Sequence, residues 1–263
     1  MTEKRPHAQS PFRPPWLPAT IAILLGTLFM LGLGIWQLDR LQQRRAANAQ
    51  IMARMSQPAL SLAGGALDPE ASDLRRATVR GTFDYDREVI LRNRTYGEVP
   101  GVHQLVPLRI AGSDAAVLVD RGWIPFEFSS PEQRAQFRNA TGEVEVRGIL
   151  RHSQTRRNSL SPADPPLGPE RARLDAWFRV DLPRIQEQTP YRLLPLYLEE
   201  ETPPGAEARW LPRPDPDIQL DEGSHFIYAI QWFAFAAILP SCTGFSTPLA
   251  PSQLPSSKIE IFL

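Results

Sequence analysis

From Leu17 to Leu38 the chain carries no charged side chain, and from Ile21 to Trp36 it is aliphatic, aromatic or glycine apart from Thr27. At 1.5 Å of rise per residue such a run makes a helix of ~33 Å, enough to cross a ~30 Å hydrocarbon layer. Trp16 and Trp36 bracket it as interfacial anchors. The rival reading is a cleaved signal peptide, with Ala47-Asn48-Ala49 as its small-residue site. The apolar run exceeds a ~7–15-residue h-region, however, and that site lies well beyond it. A retained anchor is the reading adopted.

The membrane part must be local, because a mean hydropathy of −0.28 leaves most of the 263 residues to water. A net charge of +0 gives no global field to attract nucleic acid, and the arginines are scattered among acids. The single cysteine, Cys242, allows neither an internal disulfide nor a thiolate pair, which excludes a thiol-based copper chaperone. Before Trp16 stands a short polar tail with Lys4, Arg5 and Arg13, too short for an organelle transit peptide. A bacterial protein is therefore expected.

Beyond the membrane the helix should continue as a stalk to Met55, since no glycine or proline interrupts it before Pro58. Its Arg40, Arg44 and Arg45 read as interfacial charges rather than as lipid head-group receptors. Leu60 to Ala71, with Gly64-Gly65, reads as a turn-rich connector. From Arg75 the apolar period falls to 2, and strands are expected at Ala77–Phe83, Glu88–Arg92, Gly101–Ile110, Ala115–Arg121 and Glu143–Leu150. No helix-length run separates the first four, so an antiparallel sheet that can curl into a barrel is expected. Ser153 to Arg171 is a polar loop, Asp181 caps a short helix from Leu182 to Gln188, and Leu193 to Glu200 returns as a strand. A second apolar helix, Phe226 to Leu239, spans only ~21 Å before Pro240 interrupts it. The fold expected is thus an α+β membrane protein, two transmembrane helices flanking a mainly antiparallel, barrel-like β domain. Its divisions are a tail (1–16), the first span (17–38), a juxtamembrane helix and connector (39–74), the β domain (75–222), the second span (223–250) and a terminal tail (251–263).

Catalytic motifs are missing from the sequence: there is no GxSxG elbow, no phosphate-binding glycine loop and no metal-ligand spacing among the four histidines. His7 and His152 read as solvated, and His103 as a hydrogen-bonded strand residue. His225 differs, because on a helix it shares a face with Tyr228 and Trp232 at i, i+3 and i+7. An imidazole there can ligate a haem iron with aromatics against the macrocycle, or simply cap a helix within an aromatic belt. The residues alone leave both open.

Six blocks in order carry a resemblance. They are Gly34-Ile35-Trp36-Gln37-Leu38 with Arg40, Arg80-Gly81-Thr82-Phe83, and Asn93-Arg94 with Gly97 and Gly101. After them come Val117-Leu118-Val119-Asp120-Arg121-Gly122-Trp123-Ile124-Pro125, Trp177-Phe178-Arg179-Val180-Asp181, and His225-Phe226-Ile227-Tyr228-Ala229-Ile230-Gln231-Trp232-Phe233. Together they resemble the SURF1 family, with Asp120 where that family usually has Asn. The resemblance implies a non-enzymatic assembly factor for haem–copper cytochrome c oxidase in the bacterial plasma membrane, multi-pass, its β domain extracytoplasmic. Some bacterial members are thought to hold haem A and pass it to oxidase subunit I, and only His225 inherits a ligand role. Trp36, Arg40, Arg121, Trp123, Tyr228 and Trp232 inherit membership of the shared blocks. Implied partners are subunit I, other oxidase assembly factors and membrane lipid, without nucleic acid. The alternative is a scaffold that binds nascent oxidase subunits and never touches haem; an outer-face hydrolase lacks a nucleophile–base pair. From Pro240 the chain departs from the family, with Lys258 its only later base, and a truncated or frame-altered terminus is expected there. Basic residues on both sides of the first span balance, so orientation rests on the resemblance.

Overall fold

The computed structural model describes residues 17–156, 158, 160–169, 171–202, 211–214, 218 and 220–241. His7, Trp16, Cys242, the tails 1–16 and 251–263, and the breaker-rich stretch after Ser241 lie outside the described residues. Two compact units result, one from the residues up to Ala47 and from Asp221 onward, the other from Asn48–Leu220.

In the first unit, α1 (Leu17–Met55) is one continuous 39-residue helix, with Pro18 harmless in its first turn. It is long and apolar enough to cross a membrane. The juxtamembrane continuation to Met55 is present as expected. Ala47-Asn48-Ala49, the rival cleavage site, is helical, and the buried Asn48 amide donates to Leu220 O at 2.8 Å.

The second apolar helix, α5 (His225–Ser241), has 17 residues and carries Pro240 inside its last turn rather than ending before it. Over its described residues it is shorter than α1's apolar stretch. Gly34 faces Phe233 and Gly26 faces Leu239, so the two helices run antiparallel. Close approach is possible because small residues line the contact: Gly34 on α1, and the buried Ala229 and Ala236 on α5. On α1 the buried and half-buried positions Met30, Gly34, Gln37, Leu41 and Asn48 recur at three-, four- and seven-residue spacing, a single helical stripe.

The second unit is a nine-stranded sheet. Its elements in order are β1 (Leu60–Leu62), α2 (Pro69–Ser72), β2 (Arg76–Phe83), β3 (Val89–Tyr96), β4 (Val99–Ile110), β5 (Ala115–Pro125), α3 (Pro131–Arg134), β6 (Glu143–His152), β7 (Ala176–Trp177), α4 (Leu182–Gln186), β8 (Arg192–Leu193) and β9 (Leu196–Glu200). The long pairings β2–β6, β3–β4, β4–β5 and β6–β9 are antiparallel. An antiparallel contact of Gly81–Phe83 with Leu108–Ile110 joins β2 to β4, so the pairings β2–β6–β9–β5–β4–β2 form a closed circuit. Gly81 permits this, since a Cβ there would stand 2.1 Å from Arg109 O.

The sheet is mainly antiparallel, as expected, with β1, β7, β8 and β9 also entering as short parallel partners of β2, β3, β5 and β5. Two expectations are corrected. The Leu60–Ala71 connector contains β1 and α2, the latter capped by Asp68, which accepts from the Glu70 and Ala71 amides. The Leu193–Glu200 strand is two strands, divided at Pro195, which has no N–H to give a ladder. In addition His152 ends β6, paired with Leu196, instead of opening the loop.

β5 explains the core. It is buried from Ala115 to Ile124, hence its unbroken apolar reading from Ala115 to Val119. Val117 and Val119 join Val79, Val106, Leu108, Val146, Leu150 and Leu198 in one cluster, whereas Ala116 and Leu118 meet Leu105, Trp177, Leu182, Ile185 and Tyr197 in another. Alternate side chains of one strand thus serve two cores, and α4, N-capped by Asp181 as expected, closes the second.

Candidate functional site

In the helical unit the polar groups gather at one end of the helix pair. Gly223, at φ +66°, turns the chain, and Ser224 O accepts the Tyr228 amide as α5 begins. His225 Nδ1 lies 2.9 Å from Gln37 Oε1, a half-buried contact between the helices. A carbonyl oxygen can only accept, so Nδ1 is the donor, and in the neutral ring this leaves the lone pair on Nε2. Further along α1, Arg44 approaches Asp221 at 3.6 Å, and Arg45 pairs both Glu222 oxygens at 2.9 and 2.8 Å. The Arg45 fork holds the fully exposed Glu222 carboxyl below the usual range, its hydrogen bond outweighing a small desolvation.

The expected face is only partly realised. His225 and Trp232 are half-buried, flanking Ala229, whereas Tyr228 is 49 % exposed and stands off to the side. Trp232 packs edge-on against Phe235 at 6.2 Å rather than stacking along the helix toward His225. Trp36 is exposed beneath the Arg40 guanidinium, 5.5 Å away. Gln37, a member of the first shared block, is the residue that meets His225; an amide on a mostly apolar helical stripe is the signal that marks it.

The sheet unit holds a second polar cluster, built by a bulge. Between β4 and β5 the register passes from Leu105↔Asp120 to Gln104↔Gly122, leaving Arg121 as the extra residue. Gly122 takes φ +109°, and a Cβ on it would stand 2.0 Å from Arg213 O, the carbonyl that accepts the Trp123 amide. Glycine is required on both counts. Asp120 turns one way: Oδ2 lies 3.0 Å from His103 Nδ1, and Oδ1 accepts the Gly122 amide at 3.0 Å. An Asn would offer one acceptor for these two donors, which accounts for Asp at this position of this chain. His103 is thereby a bonded strand residue.

Arg121 turns the other way. Its guanidinium donates to Tyr85 Oη at 3.1 Å, Phe137 O at 3.0 Å and Asn139 Oδ1 at 3.0 Å, lies 5.0 Å over the Phe83 ring, and meets Glu200 at 3.5 Å. Nearby, the buried Glu88 is held between Arg134 and Arg138. Trp123 covers Gly101, where a Cβ would stand 2.2 Å from the indole nitrogen. These interactions hold the chain; among the described residues no three His, Cys, Asp or Glu side chains gather as a metal site.

Burial raises the Glu200 carboxyl above the usual carboxylate range; Arg121 opposes the shift and Asp120 adds to it. A raised folded-state pKa means the folded protein holds this proton more tightly than the unfolded chain. That contribution is complete below the unfolded value of ~4.3 and is lost as pH rises through the folded one. Glu200→Gln is therefore expected to gain stability relative to the wild type as pH is raised from acidic to neutral, read as the difference between their denaturation midpoints. A difference constant with pH would contradict the assignment.

The described residues thus form a protein with a long apolar helix, a shorter apolar helix packed on it, and a sheet domain whose buried charges serve the fold. A family model described as the SURF1 family matches residues 24–237. The chain belongs to that family, which is known for cytochrome oxidase assembly factors rather than catalysts. It is 28 % identical over 230 residues to a SURF1-like protein of Monosiga brevicollis, covering 82 % of this chain and 83 % of that protein. It is 24 % identical over 233 residues to Surfeit locus protein 1 of Homo sapiens, covering 82 % and 73 %. A bacterial SURF1-like protein, from Rickettsia bellii, is 24 % identical over 224 residues, covering 83 % and 86 %.

Proposed function

We propose that this protein is a membrane-anchored assembly factor for haem–copper cytochrome c oxidase, and that His225 holds haem A as transient cargo for subunit I. The observation that carries the reading is the His225–Gln37 contact. An imidazole whose Nδ1–H is held by a carbonyl is the form in which histidine binds iron through Nε2. The donor set fits the cargo: one neutral nitrogen at the end of a helix pair, beside exposed Phe226 and Tyr228.

Two membrane crossings are part of the proposal. α5 exposes Phe226, Ile227, Ile230, Phe235 and Ile238, while α1 exposes Leu24, Leu25, Leu28 and Phe29. A helix pair that is apolar around its outside and, apart from Gln37 and His225 at one end, at its contact is suited to lipid. With 17 residues α5 rises only ~26 Å, a mismatch that a bilayer meets by local thinning or that a continuation of the helix would remove. The divisions then run as a tail, a first span within α1, the sheet domain on the outer face of a bacterial plasma membrane, and a second span. The closed circuit of strand pairing supports reading that domain as a small barrel.

The test is an absorption spectrum of the full-length protein purified from cells that make haem A. A Soret band is expected, and His225→Ala should remove most of it; an unchanged band in the variant would take His225 out of the site. The scaffold reading, favoured by the exposed cross-strand pair Tyr96 and Val99 on the sheet domain, gives co-purification with oxidase subunits and no Soret band.

A further inference from the structure

We propose that Gln37 and Gly223 together define how His225 presents itself: Gln37 sets the tautomer and the ring plane, and Gly223 keeps the edge that carries Nε2 open to an iron-bearing macrocycle. The inference rests on the haem reading above and goes beyond it in naming the residues that orient the ligand.

Three observations converge. The Gln37 carbonyl lies 2.9 Å from Nδ1, which fixes the proton on that nitrogen, although a free imidazole in water favours the Nε2–H form. Gln37 also belongs to the α1 stripe that carries Gly34 and Leu41, both buried, where an unpaired amide would be costly. Its place is therefore accounted for by the bond it makes to His225. On the other side of the ring stands Gly223, at φ +66°; a Cβ there would lie 3.4 Å from His225 Cδ2 and 3.6 Å from Nε2. A side chain there would begin in van der Waals contact with the edge of the ring that carries Nε2. One side of the ring is thus held by the helix partner, and the other faces a residue without a side chain.

Gln37 is a positioning residue, and its effect must be visible before haem binds. In the full-length protein, purified without haem and labelled with 15N-histidine, His225 is expected as the Nδ1–H tautomer. In Gln37→Leu it should revert toward Nε2–H, while Gln37→Glu, which keeps an acceptor, should not. With haem loaded, Gln37→Leu should release it roughly 10–100-fold faster, the usual cost of losing such a support. Gln37→Glu should retain it and lower its midpoint potential, because a stronger acceptor makes the imidazole a better donor. Gly223→Asn, which tolerates the left-handed backbone at this turn, should slow haem loading without changing the haem-free tautomer. Wild-type tautomer and haem release in Gln37→Leu would overturn this inference alone. An unchanged haem content in His225→Ala would overturn the reading beneath it, and the haem-free spectra would still report whether Gln37 sets the ring.

Discussion

Replacing Arg121 by leucine is expected to destabilise the sheet domain by about 3–5 kcal/mol, the cost of removing one partner from a buried charge pair and leaving the other uncompensated. Arg121 is 7 % exposed, and its guanidinium is the shared donor for Tyr85, Asn139 and the Phe137 carbonyl, with Glu200 as its counter-charge. Leucine fills part of the volume but satisfies none of these groups, and Glu200, already disfavoured as an anion by burial, loses the charge that opposes the shift. Since a domain is stable by only ~5–15 kcal/mol, a third or more of the total is at stake. Arg121→Lys should lie between, because an ammonium restores the charge without the planar fork that reaches three acceptors at once. Urea unfolding of the detergent-solubilised protein, followed by tryptophan fluorescence, measures the effect as a lowered midpoint at unchanged slope. Wild-type stability in Arg121→Leu would mean that the buried network contributes nothing net.

The same residue shows where sequence patterning stops. A charged side chain in a strand reads as facing water, and nothing in the alternation of β5 tells that a bulge after Asp120 turns Arg121 inward. The clue was Gly122, a glycine inside an otherwise apolar strand, which is the usual mark of a bulge or a close backbone approach. The long elements were legible because their patterns are long: α1 by its uncharged run, β2, β4, β5 and β6 by alternation or continuous burial, α4 by Asp181 and Pro183 at its start. The short parallel strands were not. β1 has three residues and β7 and β8 two each, too few to show a period, and their pairings join segments far apart in sequence. At the helix pair, His225 was visible as an unusual residue at a helix start. That Gln37 meets it depends on the registry of α1 against α5, which no local pattern encodes.

That registry is the subject of the second large effect. Gly34→Leu is expected to lever α5 away from α1, whereas Gly32→Leu, two residues earlier, should leave the pair intact. A Cβ on Gly34 would lie 2.6 Å from the Phe233 ring, well inside contact, and a Cβ on Gly32 meets nothing within 4 Å. Both changes have the same helix propensity and the same added apolar surface, so the pair isolates packing from every other property of the substitution. Overpacking costs about 1–3 kcal/mol. In lipid, where apolar side chains gain nothing by leaving the hydrocarbon, close packing is what holds helices together. Spin labels at the exposed Leu24 and Ile238, in a Cys242→Ser background, would read the outcome as a distance. One narrow distribution is expected for the wild type and Gly32→Leu, and a broad, longer one for Gly34→Leu. On the proposed haem role the functional consequence follows through geometry: once α5 shifts, Gln37 no longer reaches His225, and haem content should fall in Gly34→Leu alone. If Gly34→Leu kept the narrow distance, the glycine would not be setting the approach of the helices; if it lost the distance yet kept its haem, His225 would not need its partner.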